Sequence, residues 1–401
     1  MNRKKRRELF VCFLEERIFS CKFENNSINP FKHMTRSLYT LLFLVLCFPL
    51  LTVAQFRKYS NEFLNIGAGA RGLAMGSAQI VSVEDATAGY WNPAGLIEVK
   101  DNPNGVLMHA DYFAGIAKYD YAALAVPVQN NKRTLGFSLL RFAVDDIPNT
   151  LFLVEPDGSL NYNNIQSFSS ADYAFLFSLG QELKKSENHT LNFGASAKII
   201  YRKVGSFATA WGFGLDAGFI MKGSRWSAAL MAKDVSTTFN AWSFNFSERE
   251  KQALYLTKNN IPLQSTEITT PRIVLGGTYQ FRISEAVSLL TETNVDLTFD
   301  GKRNTILSSN PISIDPHLGI EASIKKSFFI RAGVTNFQQG LADKDTVNQK
   351  RVWIYQPSMG AGFKIKNLTI DYAFTNLANQ ESPLYTHVFS LKLNFIKKNE
   401  N

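Results

Sequence analysis

Residues 191–202 read LNFGASAKIIYR, and their alternation decides the fold. Leu191, Phe193, Ala195, Ala197, Ile199 and Tyr201 share one face; Asn192, Gly194, Ser196, Lys198 and Arg202 share the other, with Ile200 the exception. Successive side chains of a strand point to opposite faces, so this is a two-sided strand. Residues 368–375 (LTIDYAFT), 389–395 (FSLKLNF) and 273–282 (IVLGGTYQFR) repeat the pattern. Working outward, fourteen such segments lie near 105–116, 119–129, 133–143, 168–183, 190–204, 209–222, 224–233, 269–283, 286–299, 313–325, 327–336, 350–365, 367–377 and 384–396. Many reach the length of about 10 residues that a tilted strand needs to cross a bilayer.

The connections sort by length. Tight turns fall at 129–132, 184–188, 223, 283–285, 325–326 and 366–367, and between them lie long links at 144–167, 236–268, 300–312 and 337–349, with shorter ones at 204–208 and 378–383 and only the 116–118 link short on this second side. Membrane barrels have short periplasmic turns and longer extracellular loops, whereas a soluble sandwich has no reason to sort them. The sequence therefore predicts an all-β protein, a transmembrane antiparallel β-barrel of about 14 strands over residues 105–396. Lipid offers no hydrogen-bond partner, so such a sheet must close on itself. Tyr201, Trp211, Phe281, Phe328 and Phe395 fall near strand ends, where interfacial aromatic girdles form.

Residues 41–51, LLFLVLCFPLL, are too short to span a bilayer as a helix but suit the apolar core of a secretory signal. Arg36 precedes them, and Thr52, Val53 and Ala54 offer a small-residue cleavage site. Residues 34–54 are thus expected to be a signal peptide opening at Met34, with 1–33 an extension upstream of the true start and 397–401 a short tail. Cys12, Cys21 and Cys47 all precede residue 55, which excludes a disulfide scaffold, a Cys-based zinc site and a cysteine nucleophile from the remainder. That remainder holds 34 basic and 30 acidic residues, too even a balance to argue for nucleic acid.

Residues 55–104 do not alternate. Their small residues (Gly67 to Gly72, Gly76 to Ala78, Ala86 to Ala88) permit close backbone approach, and Pro93 restricts Asn92. A kinked segment of this size ahead of a barrel suits a luminal plug, or hatch; the bland alternative is a Gly-rich periplasmic linker. Arg71, Glu84 and Asp85 are the charges singled out in it, expected to pair with luminal side chains and hold the plug in place.

The stretch GARGLAMGSAQIVSVEDATAGYWNPAGL resembles the N-terminal signature of the FadL-like outer-membrane barrels, closest to their PorV/PorQ branch from Bacteroidetes-type Gram-negative bacteria. IDYAFTNLANQESPLYTHVFSLKLNF, from Ile370, and the run Phe329-Ile330-Arg331-Ala332-Gly333 resemble that branch too. The resemblance implies an outer-membrane location and carries two functions. The PorV/PorQ likeness implies a type IX secretion component that engages the C-terminal domains of exported proteins and associates with translocon proteins. Its working surface would be the long loops, with Phe239, Trp242, Phe244, Phe246 and Tyr255 as candidate partner-binding aromatics; the alternative is that these fold over the barrel mouth. The wider FadL likeness implies a passive channel for hydrophobic small molecules, with Asn92, Pro93 and Ala94 as the hinge of a gating hatch.

Catalysis has little support. No G-x-S-x-G or H-E-x-x-H occurs, and His387 and Ser390, three apart on a strand, point to opposite faces. Asp145, Asp146, Glu155 and Asp157 read as a solvated acidic loop rather than a calcium site. No enzyme activity, metal or cofactor is expected.

Overall fold

The computed structural model describes residues 60–155, 157–256, 264–341, 351–376 and 385–396. The expected extension at 1–33, the expected signal peptide at 34–54 and the expected tail at 397–401 lie outside the described residues. The first strands are β1 (Asn104–Tyr112), β2 (Ala117–Val128), β3 (Arg133–Asn149), β4 (Gln166–Lys185), β5 (Thr190–Val204), β6 (Ala208–Lys222), β7 (Trp226–Lys233), β8 (Thr238–Phe244) and β9 (Gln264–Thr269). There follow β10 (Arg272–Arg282), β11 (Val287–Thr298), β12 (Leu307–Ser308), β13 (Ser313–Ile324), β14 (Phe328–Leu341), β15 (Arg351–Ile365), β16 (Leu368–Thr375) and β17 (Thr386–Asn394).

All ladders are antiparallel, and β17 pairs with β1 from Asn104↔Asn394 to Asp111↔His387, closing the ring. Tracing partner to partner, β7 passes directly to β10 and β11 to β13, so fourteen strands form the wall. These are the fourteen segments read from the alternation. Strands β8, β9 and β12 are additions on the long-loop side. No described helix is long and apolar enough to cross a membrane; the strands do so.

The wall is inverted relative to a soluble protein. On β5, Asn192, Ser196 and Lys198 are buried toward the lumen, while Ile199 is exposed on the outside. Ile200, the exception in the pattern, also faces inward and is fully buried. The outer face carries Leu107, Leu135, Phe177, Phe219, Ile330 and Phe389, all exposed, as a lipid-facing surface requires.

The 236–268 link differs from the expected loop. It contains the β8–β9 hairpin followed through α3 (Glu248–Leu256, the helix between them), and β8 pairs with the long-loop half of β6, from Ala208↔Phe244 to Phe213↔Phe239. β7 pairs with the other half, from Ala217↔Ala232 to Lys222↔Ser227. The wall therefore kinks between Lys233 and Thr238, where Asp234 and Thr237 adopt positive φ. The Val235 N–H donates to the Leu215 carbonyl at 2.8 Å across the kink.

Candidate functional site

Residues 60–103 fold inside the ring. They form a 3-10 turn (Glu62–Asn65), α1 (Ala70–Ala74), α2 (Ala88–Trp91) and a second 3-10 turn (Pro93–Glu98). The helices are short because they are built for close approach: Ala68, Ala70, Ala74, Ala78, Ala88 and Ala94 are all fully buried. Two points of this hatch are pressed against the wall.

The first seat holds Asn92, Pro93 and Ala94. A Cβ on Gly194 of β5 would lie 2.6 Å from the Pro93 carbonyl oxygen, and one on Gly180 of β4 would lie 2.9 Å from it. A Cβ on Gly218 of β6 would strike the Asn92 amide oxygen. Gly180, Gly194 and Gly218 are register partners on adjacent strands, so they form one bare strip of wall. Asn92 Oδ1 accepts from the Ala94 N–H at 3.1 Å, while its Nδ2 donates to the carbonyls of Ile80 (3.2 Å) and Phe219 (3.3 Å). Asparagine is suited here because one amide caps the turn and bonds the wall together.

The second seat lies on β13–β15, six strands further round the fourteen-strand ring. Cβ atoms on Gly319 or Gly333 would each lie 2.6 Å from the Met75 carbonyl oxygen. Gly76 has φ +63°, a conformation that glycine adopts without strain, and its N–H donates to Ser358 Oγ at 3.0 Å. The hatch thus bridges the lumen between nearly opposite walls.

Charge adds to the second contact and to the wall beside it. Arg71 donates from Nε and a terminal nitrogen to the two oxygens of Glu321 at 2.9 and 3.1 Å, and to the Ser82 carbonyl at 3.1 Å. Arg331 joins the same carboxylate at 2.6 Å and reaches Asp371 at 2.6 Å. Asp85 meets Lys392 at 3.3 Å. Burial alone would raise the Asp85 carboxyl, but Lys392 and the Thr87 hydroxyl and N–H hold it below the ordinary aspartate value. Glu84 departs from expectation: it is exposed and forms no ion pair among the described residues, because its neighbours Val83 and Asp85 take the inward positions. Arg71→Ala should leave the barrel assembled, since Glu321 keeps Arg331, but should raise leakage of dyes and antibiotics several-fold. Unchanged leakage would remove Arg71 from the anchoring role.

Above the hatch, on the long-loop side, lies a cavity of about 640 Å³. Ile66, Leu73, Tyr90 and Trp91 of the hatch line its apolar part, with Phe142 and Val274 of the wall. The rest of its lining is charged, and its ions are mostly matched: Arg202 with Asp172 (2.8 Å) and Arg272 with Asp296 (3.0 Å). Lys233 is the contrast. It is buried, has no carboxylate within ion-pair distance among the described residues, and sits 4.8 Å above the Tyr90 ring and 6.0 Å from that of Trp91. The sequence reading missed it, since a lysine closing a strand looks like an interfacial charge.

The loop aromatics divide between the two expected placements. Trp242 and Phe244 share the inner face of β8 with Asn240, which donates to the hatch residue Asn61 at 2.8 Å. Phe246 continues a stack from Trp242 through Phe244 (6.3 and 6.2 Å between rings) to Phe207 (6.1 Å) and Phe168 (5.0 Å). The Arg202 guanidinium lies 5.1 Å from the Trp242 ring and joins this ladder to the chamber. Phe239 points outward, because alternation puts it on the face opposite Trp242. Tyr255, on α3, is exposed. The acidic residues at 145–157 are dispersed: Asp145 lies 3.7 Å from Lys118, and Glu155 accepts from Asn161 and Asn164.

The barrel as a whole matches solved structures in fold. The chain is similar to the toluene transporter TbuX of Ralstonia pickettii, at 13% identity and a TM-score of 0.50 over 82% of this chain and 99% of that one. It is similar to the toluene transporter TodX of Pseudomonas putida, at 13% identity and a TM-score of 0.51 over 82% of this chain and 98% of that one. The fold is that of these two barrels. At this identity the likeness is one of fold. No family model matches the sequence, and no curated protein does. The two glycine seats show how a hatch of small residues packs against the wall on both sides of the lumen.

Proposed function

We propose that this chain is an outer-membrane channel of a Gram-negative, Bacteroidetes-type bacterium, passing hydrophobic small molecules that carry a polar or anionic head, with the hatch as its gate. The observation that carries this reading is the chamber. Its volume of about 640 Å³ lies within the ~300–1,000 Å³ of small-molecule sites. Its lining combines aromatic and aliphatic groups with Lys233, a cation without a carboxylate in ion-pair reach among the described residues, so an amphiphile satisfies both. The aromatic ladder from Phe168 to Trp242 supplies an apolar approach from the long-loop end. Passage requires the hatch to lift from one wall. Asn92, Pro93 and Ala94, gripped by backbone contact and hydrogen bonds, act as the hinge, and the Arg71 end, held in part by an ion-pair cluster, moves.

The experiment is uptake into proteoliposomes of a labelled alkyl carboxylate and of a neutral hydrocarbon. Losing a charge-assisted bond costs about 1.5–3 kcal/mol, so Lys233→Met should lower apparent affinity for the carboxylate roughly ten-fold or more and leave the hydrocarbon unaffected. Uptake no faster than into protein-free vesicles would sink the proposal. The secretion reading, with exported C-terminal domains and translocon proteins as partners, draws on the motif resemblance. Of its five aromatics, only Phe239 and Tyr255 are exposed, and the other three serve the vestibule.

A further inference from the structure

We infer that the short-turn end of the barrel carries a basic collar that binds anionic phospholipid head groups in the leaflet it faces. This does not rest on the channel reading; it needs only that the barrel spans a membrane.

All six short turns carry exposed cations: Lys132, Lys185, Arg225, Arg282, Lys326 and Lys366 are one from each. Within two residues of these turns the sequence has eleven Lys or Arg and only three carboxylates, Glu182, Glu187 and Glu285. The four long connections at the other end show the reverse, six basic residues against ten acidic. The excess is therefore confined to one rim, although the chain as a whole is nearly balanced beyond residue 54.

The six cations named form no ion pair among the described residues, so no carboxylate of the barrel neutralises them. Lys222 is different: it is half-buried and meets Glu98 at 3.1 Å, so it belongs to the hatch's lower edge rather than to the collar.

Depth decides what the collar meets. Each turn adjoins an exposed apolar side chain within three residues: Leu135, Leu183, Trp226, Phe281, Phe328 and Ile365. Phe328 packs on Phe363 at 4.6 Å and Phe281 on Tyr279 at 4.6 Å, an aromatic girdle at that rim. A girdle marks the boundary between acyl chains and head groups. Cations one to three residues beyond it have their stems along the apolar rim and their charges at phosphate level. Anionic head groups attract such residues over about a Debye length. Charge complementarity and depth together select a lipid phosphate over a soluble anion.

The test reconstitutes the full chain in phosphatidylcholine bilayers containing trace spin-labelled phosphatidylglycerol or phosphatidylcholine, and measures the motionally restricted fraction of each. The expected result is several-fold selectivity for phosphatidylglycerol that falls as salt rises. The variant K132Q/K185Q/K326Q/K366Q should bring it near one, while K118Q/K251Q, at the other end, should leave it unchanged. Gel mobility before and after heating checks that each variant is folded, and free phosphate at millimolar concentration should compete no better than chloride at equal ionic strength. Selectivity of one for the native chain, or selectivity unaltered in the folded quadruple variant, overturns the inference.

Discussion

Gly194→Val should unseat the hatch, and Gly333→Val should do the same at the other wall. At both positions the missing side chain leaves room for hatch backbone rather than for a flexible neighbour: Pro93 and Ala94 at one, Met75 and Gly76 at the other. Backbone cannot rotate aside as a side chain does, so the hatch must shift as a body. Overpacking costs about 1–3 kcal/mol, which moves a seated-to-unseated equilibrium roughly 5- to 150-fold. The measurement is influx of a small hydrophilic antibiotic into cells, with Gly277→Val as control. Gly277 has open space where its Cβ would be, so that control should behave as the native protein. Equal influx for all three variants would mean that the seats do not hold the gate.

The second large effect is expected at the wall kink. Lys198 donates to Asp216 at 2.8 Å and lies 2.6 Å from Asp234, whose N–H donates to Asp216 at 2.7 Å and whose carboxylate accepts from Thr238. The Lys198 side chain is 4% exposed and that of Asp216 is 6% exposed. Lys198→Met strands two carboxylates where the ladder changes from β8 to β7, at a cost of about 3–5 kcal/mol. The triple variant Lys198→Met, Asp216→Asn, Asp234→Asn removes the charges together and should recover most of the loss, since a buried ion cluster replaced as a unit is often neutral. Unfolding midpoints in denaturant separate the two. If single and triple variants were equally unstable, the cluster would be acting by shape and not by charge.

The wall was legible in the sequence because lipid and lumen impose opposite polarity on alternate residues, and strands such as β5 carry that pattern nearly unbroken. The β8–β9 hairpin was hidden because residues 238–244, TFNAWSF, have aromatics on both faces: Phe239 meets the outside while Trp242 and Phe244 meet the vestibule. The hatch was legible from its small residues and broken alternation, and Arg71 and Asp85 from their charge. Their partners Glu321 and Lys392 were not, since 250 residues separate Arg71 from Glu321 and only ring closure brings them together. The seats left a signal that went unread. Gly180, Gly194 and Gly218 occupy inward positions, and glycine inside a strand marks close approach of another backbone. Lys233 could not have been singled out, because its isolation depends on which carboxylates the fold commits elsewhere.

The account's central claim is that solute passes only when the hatch leaves its seat. At the moving end the Ala70 N–H donates to Ser390 Oγ at 3.1 Å, which brings the two residues close enough for a disulfide, so A70C/S390C can tether α1 to β17 reversibly. The direct measurement is uptake of a labelled alkyl carboxylate by proteoliposomes of this variant, oxidised and then reduced. The account predicts uptake near the protein-free level when oxidised and restoration to the native rate on reduction. Equal uptake in the two states, or none in the reduced state, would contradict it.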